Sequence, residues 1–104
     1  GLTQLIKTIE RVKVNLNPEL KIRGILLTMY DKRNKLSSQV EKEARDYFSD
    51  KVYITVIPRN VRLSEAPSHG MPVLIYDKFC QGSKSYYKFT DEFISQEEKL
   101  GSAA

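Results

Sequence analysis

Cysteine occurs once in this chain of 104 residues, histidine once, tryptophan not at all and glycine only five times. Each scarcity removes a class of function. A single Cys80 cannot close an internal disulfide and has no companions at metal-ligand spacing, so redox chemistry and a cysteine-built metal site are both excluded. The glycines never fall as G-x-x-x-x-G-K-[ST] or G-x-G-x-x-G. No loop of this chain can therefore cradle a triphosphate on backbone amides, and self-contained nucleotide hydrolysis is not expected. The lone His69, between Ser68 and Gly70, has no Ser or Cys nucleophile that spacing would pair with it, so turn-stabilising hydrogen bonding is its simpler role. No catalytic residue and no metal ligand is assigned. No apolar run approaches the roughly 20 residues that cross a bilayer, and the first residues lack the basic-then-apolar pattern of a signal peptide, which points to a cytoplasmic protein.

What is present is ordinary for one globular domain: 40% hydrophobic residues and a net charge of +4. The charge is segregated. Lys32, Arg33 and Lys35 form one basic loop cluster and Arg59 with Arg62 another, while acidic residues gather on helix surfaces and at Glu97-Glu98. A modest excess of this kind suits a polyanionic partner without requiring one.

Hydrophobic periodicity sets out the elements. Leu2, Leu5, Ile6, Ile9, Val12 and Leu16 recur at helical spacing, so an amphipathic helix is predicted up to Asn17-Pro18. Ile22 to Tyr30, with Ile25-Leu26-Leu27 unbroken by polar residues, reads as a strand buried on both faces. A capping box of Ser38 and Glu41 opens a second helix lined by Leu36, Val40, Ala44, Tyr47 and Phe48, with Glu41 and Arg45 as an i,i+4 pair, ending near Ser49-Asp50. Val52 to Ile57 is the next strand and Val73-Leu74-Ile75-Tyr76 a third, before a last helix that starts at Gly82-Ser83 and turns Tyr86, Phe89, Phe93 and Ile94 inward. This alternation predicts an α/β fold, a partial doubly wound parallel sheet of about three strands with flanking helices. One domain over residues 1–100 is expected, with 101–104 a frayed or vector-derived tail. So small a parallel sheet leaves an unpaired edge, and self-association through it is expected.

The most informative segment is Val56-Ile57-Pro58-Arg59-Asn60-Val61-Arg62-Leu63-Ser64-Glu65-Ala66-Pro67-Ser68-His69-Gly70-Met71-Pro72. Pro58 ends a strand ladder, Asn60 caps a short helical turn, and Pro67 with Gly70 closes it. Arg59 and Arg62 are thereby displayed at a strand's carboxyl end, where ligands of doubly wound sheets bind. The segment Leu26-Leu27-Thr28-Met29-Tyr30-Asp31-Lys32-Arg33-Asn34 mirrors it. If the two strands are neighbours, Thr28 and Asp31 share a crevice with Pro58, Arg59 and Asn60, and a flat heterocycle fits between Met29 and Pro58 with polar groups reading its edge. An equally simple reading makes Asp31 a turn cap and Thr28 a strand-end filler.

The runs "LLTMYDKRN" and "KVYITVIPRNVRLSEAPSHGMPVLIYD" closely resemble the carboxyl-terminal part of the ParA/Soj family of chromosome- and plasmid-partitioning ATPases, MinD relatives with a deviant Walker A motif. The resemblance spans nearly the whole chain. It implies the C-terminal half of a P-loop NTPase fold, without the deviant Walker A lysines, switch regions and Walker B aspartate, so this chain alone is not expected to hydrolyse ATP. In the full-length family ATP and Mg are the cofactors; none is expected to bind tightly here. The matching positions imply that Thr28, Met29, Asp31, Pro58, Arg59 and Asn60 form the nucleotide-base pocket, and that Arg33 and Arg62 contact DNA phosphates without sequence preference. Implied partners are non-specific DNA, a ParB-type protein and further copies of the chain, paired along the Ile22 to Met29 edge. The implied location is the bacterial cytoplasm, at the nucleoid. The alternative function is a truncated, non-catalytic interaction module that associates with full-length partition ATPases. A MinD-like membrane role is disfavoured, because Gln96-Glu97-Glu98-Lys99-Leu100 is the wrong composition for anionic lipid.

Overall fold

The computed structural model describes residues 2–103. Along the chain run α1 (Leu2–Asn15), β1 (Ile25–Tyr30), α2 (Lys35–Phe48), β2 (Val52–Pro58), α3 (Val61–Glu65), α4 (Val73–Tyr76) and α5 (Gln81–Ala103), with 3₁₀ turns at Ser49–Lys51 and Ala66–His69. β1 and β2 pair in parallel, Ile25 opposite Val52, Leu27 opposite Val56 and Tyr30 opposite Pro58. Parallel pairing needs a crossover, and α2 supplies it.

Successive residues of a strand face opposite sides, and β2 uses this to build two layers. Val52 joins buried Ala44 and Phe48 of α2, with Leu2 and Ile6 of α1 and Ile22, Ile25 and Leu27 packed around them. Tyr53, the next residue, meets Phe89 of α5 edge-on at a ring separation of 4.9 Å and Phe93 at 6.3 Å. Gly82 permits α5 to start close to α3, because a Cβ there would lie 2.5 Å from Cγ of Leu63. Buried Ser83 then ties α5 to α4, its hydroxyl 2.6 Å from the carbonyl of Asp77 and 3.1 Å from that of Val73.

Several expectations are corrected. Val73-Leu74-Ile75-Tyr76 is a turn of helix, not a third strand: Ile75 and Tyr76 donate to the Pro72 carbonyl at 3.0 Å and Asp77 to that of Val73 at 2.9 Å. A four-residue apolar run carries no period that separates strand from helix. β1 begins at Ile25, and none of its residues is buried, whereas β2, against which α5 packs, is buried at Val52, Tyr53, Thr55 and Ile57. Asn34, not Ser38, caps α2, its side chain accepting from Leu36 N–H at 2.9 Å. Ile94 stays half exposed. The Glu41–Arg45 pair forms as expected, and Arg45 also donates to the Tyr53 carbonyl. Of the expected tail, residues 101–103 continue α5 and Ala104 lies outside the described residues.

The two sheet edges differ. Glu92 of α5 accepts hydrogen bonds from Ile54 N–H at 2.7 Å and Thr55 N–H at 2.9 Å, so a carboxylate occupies β2's outer edge. The outer edge of β1 has no strand partner among the described residues. Exposed Leu36 and Val40 of α2 line a hollow with Leu27, Thr28 and Tyr30 of β1. The accessible surface is 8106 Å², against about 6,000 Å² for a compact 12 kDa monomer. The radius of gyration is 15.8 Å, where about 13 Å is usual for 100 residues.

Candidate functional site

β2 ends at Pro58, and Arg59 N–H still reaches back to the Tyr30 carbonyl at 2.9 Å, so both strands stop at the same level. Asn60 then caps α3, its side-chain oxygen accepting from Leu63 N–H at 3.3 Å. The following 3₁₀ turn carries Pro67 near its start and closes on Gly70 in the left-handed region, φ 64°. This is the local geometry expected from an Asn cap, a Pro and a Gly at those spacings.

A cleft of ≈ 290 Å³ opens at the carboxyl ends of β1 and β2, lined by Thr28, Met29, Ile57, Pro58, Arg59, Asn60, Leu63, Ser64 and Tyr86. Five of the six residues anticipated for a base pocket, Thr28, Met29, Pro58, Arg59 and Asn60, therefore line one cavity. Asp31 is not among its lining residues. It accepts instead from Arg33, backbone N–H at 3.0 Å and Nε at 3.1 Å, and its own N–H donates to Ser37 Oγ. The Arg33 hydrogen bonds hold the Asp31 carboxyl below the usual carboxylate range. Met29 is 69% exposed and sits at φ 54°, inside the register shift between Leu27 and Tyr30. A non-glycine residue there costs of order 1–3 kcal/mol, and such outliers cluster at ligand sites.

The cleft suits a flat, mostly apolar ligand with a polar edge. Met29, Pro58, Ile57, Leu63 and Tyr86 supply apolar wall, while the Asn60 amide N–H groups, the Thr28 and Ser64 hydroxyls and the Arg59 guanidinium supply polar groups. Spacing alone did not single out Leu63, Ser64 or Tyr86. Leu63 and Ser64 lie one turn after the Asn60 cap, and Tyr86 is brought in from α5, a contact only tertiary packing specifies. Among the described residues no group of three or more acidic, His or Cys side chains is placed to hold a metal ion.

The predicted phosphate contacts stand differently. Arg33 is exposed and lines, with Arg59, Asn60, Val61, Ser64, Glu65 and Ser68, a surface hollow of ≈ 410 Å³ beside the cleft. Arg59 is exposed. Arg62 is engaged: NH1 lies 3.2 Å from Glu65 Oε2, Nε lies 3.2 Å from Asp77 Oδ2, and the guanidinium carbon sits 5.9 Å from the centre of the Tyr76 ring. Tyr76 donates to Glu65 Oε2 at 2.6 Å, and His69 stacks on the same ring at 4.8 Å. The Tyr76 hydrogen bond and then Glu65 raise the Arg62 pKa, so its charge is fixed at every ordinary pH.

The family described as the CobQ/CobB/MinD/ParA nucleotide binding domain matches residues 1–73 of this chain. Among curated proteins it is similar to the chromosome partitioning protein ParA of Caulobacter vibrioides, 63% identical over 97 residues, which is 93% of this chain and 36% of that protein. It is 52% identical to the chromosome-partitioning ATPase Soj of Treponema pallidum, over 93% of this chain and 38% of the relative. With the sporulation initiation inhibitor protein Soj of Bacillus subtilis it shares 53% identity, over 88% of this chain and 36% of the relative. The chain thus spans little more than a third of the length of the curated relatives it matches. No described helix is long and apolar enough to cross a membrane.

Proposed function

The chain belongs to the CobQ/CobB/MinD/ParA nucleotide-binding family, and from that premise we propose that it supplies the base-end pocket and the DNA-binding arginines of a ParA/Soj-type partition ATPase. The observation that carries the reading is the cleft at the paired strand ends, where Thr28, Met29, Pro58, Arg59 and Asn60 converge from two segments about 30 residues apart. A purine would lie against Met29 and Pro58 with its edge toward Asn60, Thr28 and Arg59. Asp31 keeps a role at the rim, fixing the turn that presents Arg33.

The phosphates of the same nucleotide and its magnesium would be held by residues outside this chain, consistent with the lack of any phosphate-cradling glycine loop in its sequence. Arg33 and Arg62 are the proposed DNA-phosphate contacts, and phosphate contacts give affinity without sequence preference. The proposed setting is the bacterial nucleoid, with a ParB-type protein as regulatory partner and a second copy of the chain, or the rest of the ATPase, along the open edge of β1.

The pocket assignment is tested by photocrosslinking 8-azido-ATP to the longest natural protein that contains this sequence. Label is expected on the Thr28–Met29 or Pro58–Asn60 peptides. Label confined to peptides outside this chain contradicts the pocket.

A further inference from the structure

The guanidinium of Arg62 is shared between two carboxylates from different elements, Glu65 on α3 and Asp77 just after α4. Tyr76 braces Glu65 with a 2.6 Å hydrogen bond and presents its ring to the guanidinium. Two carboxylates on one guanidinium leave this cluster with a net negative charge, in a surface otherwise rich in Arg and Lys. Arg33 has a single carboxylate partner, Asp31, and keeps a highly exposed side chain. The arginines are therefore unequal in the charge set against them: Arg33, hydrogen-bonded through Nε and NH2 to Asp31, faces one carboxylate, whereas Arg62, though half exposed, faces two.

We propose that Glu65 and Asp77 act as a gate on Arg62, positioning residues that compete with phosphate for its N–H donors so that this arginine adds to polyanion binding only when they let go. The proposal rests on the DNA reading above for its ligand. Its physical content is a competition: a phosphate oxygen must displace Asp77 from Nε or Glu65 from NH1, and each displacement offsets most of the new charge-assisted hydrogen bond. The effect is to hold resting affinity for nucleic acid low while keeping a further contact in reserve. Any event that draws Asp77 or Glu65 away would release it.

Asp77→Asn is the informative change, because the amide keeps the Oδ1 acceptor that receives Phe79 N–H at 3.2 Å while removing the charge that holds Arg62. The 104-residue chain and its variants are titrated against one short duplex over a range of salt. Asp77→Asn is expected to tighten binding by about fivefold, the scale of one exposed ion pair, and to steepen the log–log salt dependence by about 0.9, one added phosphate. Glu65→Gln is expected to act in the same direction. In an Arg62→Ala background Asp77→Asn should then do nothing, whereas a general loss of negative charge would help equally with or without Arg62. A persistent gain in that background, or no gain in Asp77→Asn itself, overturns the gate and leaves the DNA reading standing.

A second readout does not depend on DNA. The Arg62 Nε–H resonance is followed by NMR while inorganic pyrophosphate is added, and it should move in Asp77→Asn and stay fixed in the parent chain. That result, with no duplex binding by any variant, would keep the gate and remove the DNA reading. Equal movement in parent and variant overturns the gate.

Discussion

At the scale of single residues, the site turns on how each cation is held. Arg33→Ala is expected to weaken binding to unrelated duplexes equally and to reduce the salt slope by about 0.9. Arg62→Ala should cost less than Arg33→Ala, because Glu65 accepts from its NH1 and Asp77 is ion-paired beside its Nε. Filter binding at several salt concentrations measures both, and a loss that depends on duplex sequence would argue against phosphate contacts. Asn60 does two jobs, capping α3 and lining the cleft. Asn60→Ala is expected to lower stability by about 1 kcal/mol, the usual effect of a lost N-cap, and also to weaken nucleotide binding at the proposed base pocket; denaturant unfolding and nucleotide crosslinking separate the two. Most of these residues were legible in the sequence. Asn60, Pro67 and Gly70 carry local signals whose geometry follows from backbone preference alone. The place of Asp31 was not, because its choice between crevice and turn depends on the position of Arg33 and Ser37, which no spacing rule fixes.

At the scale of elements, β1 and β2 were legible from apolar runs and α2 from its helical stripe, while the run at Val73–Tyr76 was misleading. The Pro72 carbonyl and the Ser83 hydroxyl settle that run as a helical turn, and Ser83 arrives from a different element. The seal on β2 was equally invisible, since Glu92 lies 37 residues from Thr55 in sequence. Burial disfavours the ionised Glu92, but the Thr55 hydroxyl and backbone N–H, Ile54 N–H and Arg45 outweigh it and hold the carboxyl below its ordinary value. A carboxyl whose folded value is depressed stabilises the fold above its unfolded value. That contribution is complete above about pH 4.3 and is lost as the pH falls further, through the folded value. Glu92→Ala is expected to lower stability by about 1.5–3 kcal/mol, the range for hydrogen bonds to a charged group, and to flatten the acid limb of a stability-versus-pH curve. Chemical denaturation at pH 7 and at pH 3 checks this: the difference between parent and variant should be smaller at pH 3 than at pH 7, and an equal difference at both would show that Glu92 acts by packing.

At the scale of the whole molecule, the chain exposes more surface than a compact 12 kDa domain, and β1 has a strand on only one side. One edge is closed by Glu92 and the other has no strand partner among the described residues, so growth of the sheet is directed to one side. Concentration-dependent self-association is therefore expected in light scattering, and a monomer at every concentration would contradict the open edge. The central claim is that this surface binds nucleic acid through phosphates. Its most direct test is the affinity of the chain for two duplexes of equal length and unrelated sequence, measured from low to moderate salt. Equal affinities with a log–log slope of a few phosphates, each contributing about 0.9, are expected. A slope near zero, or a marked preference for one sequence, would contradict it.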